Sequence, residues 1–361
     1  MTRKYVLVIN PGSTSTKVAI YEAEKEIKSN KITHQLKDLE KYARVYEQYD
    51  YRLKLIYDWL AKEEISTSSL VAVVGRGGLL RSIPGGTYIV TEKMIEDLKI
   101  GIQGEHASNL GGILAKGIAD KEGIKSYIVD PVAVDEFEDI ARISGLKEIK
   151  RKSLIHALNI KAVSYRRAKE LNKDLSELNL IVAHLGGGIS IAPVKKGKMI
   201  DVNNASEMGP FSPDRTGSLP VGDIVKLCYS GKYTHEEMKI KLKGKGGLSG
   251  YLGTMDAREI EAMIAQGNKK ADLIYSAMAY QIGKEIGSVA TVLEGNVDNI
   301  ILTGGLAYSK YLTDFIIGMV EFIADVVICP GEDEMDALNK GVLRVRNKEE
   351  KEKIYENEVD L

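Results

Sequence analysis

The chain has 361 residues, enough for two domains with cores of their own. Fifty basic residues against fifty-one acidic ones leave a formal charge of −1, which excludes the chain-wide field of a nucleic-acid or anionic-membrane binder. Cys228 and Cys329 are too few for a disulfide framework and have no metal-ligand neighbours, and the five apolar residues after Arg3-Lys4 are too few for a secretory leader. No apolar run reaches membrane-spanning length, so a cytoplasmic protein with local, specific partners is expected.

In chain order, strand patterns fall at Tyr5 to Ile9, Lys17 to Tyr21, Val71 to Val74 and Ser126 to Val129, with helical patterns near Leu39 to Glu64 and Gly104 to Glu122. Leu154, Leu158, Ala162 and Tyr165 then mark a connecting helix in "KSLIHALNIKAVSYRRAKEL", a natural domain boundary. A second set of strands follows at Leu180 to Ala183, Ile189 to Val194 and Lys198 to Val202. This is an α/β pattern. "YVLVINPGSTSTKVAIYE" and "NLIVAHLGGGISIAPVKKGKMID" are each strand, small-residue turn, strand, which suggests an internal duplication. The tail from Lys348 to Leu361 is dense in charge and reads as a solvated helix end or a disordered extension.

Three turns after apolar strands are rich in glycine or hydroxyls: Asn10 to Thr16, Gly186 to Ser190, and Gly304-Gly305. Any one is most simply a tight connection. Three of them, in both halves, point to bound anions, because glycine lets backbone N–H groups converge on a phosphate while Ser and Thr add donors. No G-x-x-x-x-G-K-[ST] is present and no G-x-G-x-x-G lies between a strand and a helix, so neither a P-loop nor a dinucleotide fold is supported.

"VINPGSTSTK", "AHLGGGISIA", "DRTGSLP" and "LTGGLA", in that order, resemble the signatures of the acetate and butyrate kinase family, and the likeness covers essentially the whole chain. "GRGG", "GEHASNLGG" and "VDPVAVDE" look like its butyrate-using members. The resemblance implies two duplicated α/β domains of the ribonuclease H-like, actin-like ATPase type with a nucleotide cleft between them. The expected division is 1–150 plus 333–361 for the first lobe and 151–332 for the second. It further implies ATP/ADP and Mg²⁺ as cofactors, a small carboxylic acid as substrate, and a homodimer or larger homo-oligomer. An acetate or propionate kinase, or a non-catalytic nucleotide-binding module of the same fold, is the alternative.

A carboxylate is already ionised at neutral pH, so the chemistry needs relief of anion–anion repulsion more than a base. By resemblance Arg76 holds the acid and Arg215 the transferring phosphoryl group, although a loop arginine by itself is commonly just solvated. His156 is to donate to phosphoryl oxygens, and His106 belongs to the acid side. Asp130, extended ahead of Pro131, is to project from the sheet edge and position Mg²⁺, water or an arginine. Gly78, next to Gly77, is to leave room for a longer acid tail, with Ile155 as its apolar wall. Ser13, Thr14, Lys17, His184, Gly186, Gly187, Gly188, Asp256, Arg258, Gly304, Gly305 and Leu306 match the nucleotide-contacting segments. Asn10 and one acid of Glu332, Asp333 and Glu334, matched as Glu334, neighbour the metal, while an acid in a helix's first turn is also favoured by the dipole alone.

Overall fold

The computed structural model describes residues 4–359; Arg3, and Asp360 and Leu361 of the charged tail, lie outside the described residues. The strands in chain order are β1 (Tyr5–Pro11), β2 (Ser15–Glu22), β3 (Lys25–Thr33), β4 (Leu70–Arg76), β5 (Thr87–Ile89), β6 (Lys125–Val129), β7 (Asn179–Leu185), β8 (Ile189–Lys195), β9 (Lys198–Met199), β10 (Asn299–Gly304), β11 (Val326–Pro330) and β12 (Lys353–Ile354). They form two mixed sheets in two units, Met1–Asp135 with Asp333–Leu361, and Glu136–Glu332.

In the first unit the sheet order is β12-β5-β6-β4-β1-β2-β3. β1 pairs antiparallel with β2 and parallel with β4, and β4 pairs parallel with β6. β1 and β4 read as unbroken apolar runs because helices cover both faces of the sheet, Asn109–Glu122 on one side and Glu334–Arg346 on the other. Gly75 and Gly111 let the first of these helices lie directly on β4, since a Cβ at either would collide with the other's backbone. The second unit has the order β11-β10-β7-β8-β9, with β7 antiparallel to β8 and parallel to β10. Strip the edge strands β5 and β12 from the first sheet and the two orders coincide: a hairpin pair on one side of the first strand, two parallel strands on the other. The long helix Lys269–Val292 packs on β8 and β7, and Ala157–Glu170 covers β7 and β10.

Several expectations change. The helix expected over Leu39 to Glu64 is broken into Leu36–Leu39 and Tyr49–Lys62, because Glu47 accepts the backbone N–H groups of Ala43 and Arg44 and Glu105 accepts that of Val45. The strand expected over Lys198 to Val202 stops at Met199, where Arg151 draws Asp201 and the Val202 carbonyl away. The division falls at Asp135/Glu136 instead of 150/151: Glu136 accepts Lys161 Nζ at 2.9 Å and the Met199 N–H at 2.8 Å, so residues 136–150 go with the second unit. Over its described part the charged tail is neither a helix end nor disordered, although Lys348, Glu349 and Lys351 are exposed. β12 pairs with β5, and Tyr355 is fully buried with its hydroxyl donating to Asp97 at 2.9 Å. Burial alone would raise the Asp97 carboxyl, but hydrogen bonds from Arg81, Lys93 and Tyr355 hold it below its ordinary value. Among the described residues no helix is long and apolar enough to cross a membrane.

Candidate active site

In the first unit the parallel strands β1, β4 and β6 are neighbours, so Asn10, Arg76 and Asp130 arrive together at their carboxyl ends, where open α/β sheets take ligands. Asn10 Nδ2 donates to Glu334 Oε2 at 2.7 Å, and Arg76 Nη1 lies 3.2 Å from Glu334 Oε1. That ion pair is too poorly aligned to be a hydrogen bond, so the buried Nη1 has donors unspent. The three adjacent acids have three different partners: Glu334 stands on Asn10 and Arg76, Asp333 caps the helix that follows, and Glu332 faces His184.

Asp130 is buried but not extended. Its φ of 38° is left-handed, against the bias that Pro131 imposes, and its backbone and side chain bracket Gly86, with the Gly86 N–H on Oδ1 at 2.7 Å. Gly78 does not open a space for an acid tail. A Cβ there would lie 2.5 Å from Asn109 Oδ1 and 2.6 Å from its Cα, and one at Gly77 would strike Pro131. Both glycines serve close packing, and Asn109 completes it by accepting the Leu79 N–H at 2.9 Å. His106, on the exposed loop before that helix, accepts the Ser108 N–H on Nδ1 at 3.2 Å, which leaves any proton of the neutral ring on Nε2.

Between β1 and β2, Ser13 and Thr14 are exposed, as is Lys17 on β2. No local sequence signal marks what lies behind them: Arg52, from the helix Tyr49–Lys62, is 1% exposed and donates to the carbonyls of Gly12 and Ser15.

In the second unit the turn after β7 is assembled from four directions. A Cβ at Gly188 would run into the Arg215 guanidinium, which lies over that glycine and donates from Nη1 to the Ala205 carbonyl at 2.8 Å while its buried Nε has no hydrogen bond among the described residues. Ser212 Oγ ties down the Gly187 carbonyl at 2.5 Å. His184, at the end of β7, lies against Gly186, and its Nδ1–H donates to Asn159 Oδ1 at 2.8 Å. His156 stacks on His184, ring centroids 3.9 Å apart, and shares a hydrogen bond with Ser190 Oγ at 2.9 Å. It sits at the N-cap of Ala157–Glu170 rather than within the helix. Ile155, beside it, is buried. Gly304, φ 87°, abuts the end of β7, where a Cβ would lie 2.5 Å from the Leu185 carbonyl, so two of the glycine turns become neighbours.

Asp256, Arg258, Gly305 and Leu306 line a separate cavity of about 740 Å³ in this unit, together with Met255, Glu261 and Tyr308. Asp256 and Arg258 also form the internal pair that their spacing allowed. Arg258 donates from Nε and Nη2, and this holds the Asp256 carboxyl down to about 2 while Asp256 caps the helix Ala257–Ala265.

Among the described residues no three His, Cys, Asp or Glu side chains cluster as a metal cage. Mg²⁺ does not require one: it takes one or two protein oxygens and completes its octahedron with water and substrate phosphate. Glu334 and Asn10, whose Oδ1 makes no hydrogen bond among the described residues, fit that sparse set.

The duplicated sheet order defines the class first. The acetate kinase of Porphyromonas gingivalis superposes with a TM-score of 0.79 at 20% identity, covering 95% of this chain and all of that one, so the fold is that of the acetate kinases, an actin-like ATPase fold. Residues 144–323 match the family described as Acetokinase family. A probable butyrate kinase 2 of Caldanaerobacter subterraneus subsp. tengcongensis is 59% identical over 350 residues, 97% of this chain and 99% of the relative. Butyrate kinase 2 of Clostridium acetobutylicum is 55% identical over 351 residues, again 97% and 99%. The chain belongs to the acetokinase family, on the branch of these butyrate kinases.

Proposed function

We propose that this chain is an ATP-dependent kinase of short-chain carboxylic acids that interconverts ATP and butyrate with ADP and butyryl phosphate. The carrying observation is a pair of arginines beside glycines, Arg76 at the end of β4 and Arg215 in a loop, each with a buried N–H that makes no hydrogen bond among the described residues. Unspent guanidinium donors suit a reaction between two anions, and a sugar or alcohol kinase has no use for two of them.

The attacking oxygen needs no deprotonation, which accords with Asp130 being committed to the Gly86 backbone. Arg76 forks onto the acid's carboxylate and screens it from the phosphates. Ser13, Thr14 and Lys17 suit phosphate oxygens in the first unit, and in the second Gly186 to Gly188 offer backbone N–H groups. Arg215 gathers the equatorial oxygens of the transferring group, with His156 as a further donor whose ring is held by His184 and Ser190. Asn10 and Glu334 would hold Mg²⁺, which when bound neutralises charge on the phosphates. The cavity beside Asp256 and Gly305 takes the nucleoside.

Two methylenes at about 0.8 kcal/mol each give roughly tenfold selectivity, with buried Ile155 as the apolar wall. The test is kcat/KM across acetate, propionate, butyrate, isobutyrate and 2-methylbutyrate. Butyrate or a branched acid should lead acetate by about tenfold; acetate in the lead would make this an acetate kinase, and no turnover of any acid would end the reading.

A further inference from the structure

Arg52 is the largest of the fully buried side chains and a charged one, yet among the described residues no carboxylate pairs with it. Its Nη1 donates to the Gly12 carbonyl at 2.9 Å, the Ser15 carbonyl at 3.3 Å and Thr16 Oγ1 at 3.0 Å. Nη2 reaches the Ser13 carbonyl at 3.4 Å and, with Nε, the side-chain oxygen of Gln48 at 2.8 and 3.0 Å. The remaining carbonyl of the turn, that of Thr14, accepts the His34 N–H at 2.9 Å. Four successive carbonyls are thus drawn inward.

A peptide plane that points its oxygen one way points its N–H the other. The N–H groups of Ser13 and Thr14 make no hydrogen bond among the described residues, and both side chains are exposed. We propose that Arg52 is a positioning residue: it holds the Gly12 to Ser15 turn open as an anion-receiving nest, and phosphates bound in front of the turn supply the counter-charge that the protein withholds from it. The second half of this rests on the kinase reading above; the first half does not.

The rest of the network agrees. Thr16 Oγ1 accepts from Arg52 and shares a second hydrogen bond with His34 Nε2 at 2.8 Å, and burial together with the Arg52 charge favours the neutral form of His34. A positive neighbour also lies behind the turn rather than in front of it, where it would block the ligand. Burial pushes the Arg52 guanidinium down to about 10, still charged at neutral pH. A cation kept at that cost, with uncharged partners among the described residues, carries a field that a polyanion in front of the turn would feel through little solvent.

The experiment compares Arg52→Lys and Arg52→Gln with the unmodified protein, using two readouts. Amide hydrogen exchange over residues 12–16, measured without ligand, should accelerate at least tenfold in Arg52→Gln; unchanged exchange in both variants overturns the proposal whatever the enzyme does. With MgATP and butyrate, the KM for MgATP should rise at least tenfold in Arg52→Gln and less in Arg52→Lys, which keeps the charge, while the KM for butyrate moves less than twofold. Folded variants with faster exchange but an unaltered MgATP KM would overturn the counter-charge half. If the unmodified protein turns over no acid while exchange still responds, the kinase reading fails and the turn-holding role stands.

Discussion

The turns after β1 and β7 hold the same place in the same sheet order, and they are built in opposite ways. The first is made of hydroxyls, and its shape comes from behind, through a buried guanidinium gripping its carbonyls. The second is nearly bare glycine, and its chemistry lies on top, where Arg215 covers Gly188 and His184, stacked on His156, lies against Gly186. On the proposed reading, the topology sets where an anion is met. The side chains decide whether the turn itself supplies the donors or yields space to groups that do.

The comparison breaks most visibly at Arg215. Arg215→Ala should lower kcat by about 10³ while leaving the MgATP dissociation constant within a few-fold, because the contact proposed for it is to the transferring group. Steady-state kinetics beside calorimetric titration of MgATP checks this, and equal losses in both would make Arg215 a binding residue only.

The glycines sharpen it next. Gly188→Ala places a Cβ in the Arg215 guanidinium and should cost about 10² in kcat/KM, the penalty of an ångström's misplacement. Gly187→Ala, with nothing within 4 Å of the added atom, should stay within about twofold. Equal effects would mean the turn needs glycine for its backbone and not for Arg215.

The smallest effect is a pH slope in the first turn's support. His34 is buried against Thr16, Tyr51 and the Arg52 guanidinium, and burial first, then that charge, push its pKa from 6.5 down to about 4. The unfolded chain therefore binds the proton first, so this contribution to stability is complete above pH 6.5 and is lost as pH falls toward 4. In His34→Gln, unfolding free energy measured between pH 6.5 and 4 should flatten by up to about 1.4 kcal/mol per pH unit. An unchanged slope would mean that His34 is not buried neutral.

Much of the strand layout was legible because apolar runs ending in small-residue turns announce parallel strands and their ligand edge, as at Val8 to Thr16 and Leu180 to Gly188. What escaped was whatever depends on a partner distant in sequence. Arg52 lies 40 residues from Gly12 on an unremarkable amphipathic helix, and nothing local marks a buried cation. Gly77 and Gly78 looked like vacant space because a sequence does not show that Pro131 and Asn109 fill it. The tail misled for the same reason: its charges are real, but Tyr355 among them has a buried Asp97 waiting for its hydroxyl. Asp130 took a left-handed backbone against the Pro131 bias because Gly86 bonds it on both sides.

The central claim is that a carboxylate, not a hydroxyl, receives the phosphoryl group. Incubating the unmodified protein with butyrate, ATP, Mg²⁺ and hydroxylamine tests it directly, because an acyl phosphate is trapped as a hydroxamate and a phosphate ester is not. Butyrohydroxamate should form in step with ADP; ADP release without hydroxamate, or none with any short acid, would contradict the account.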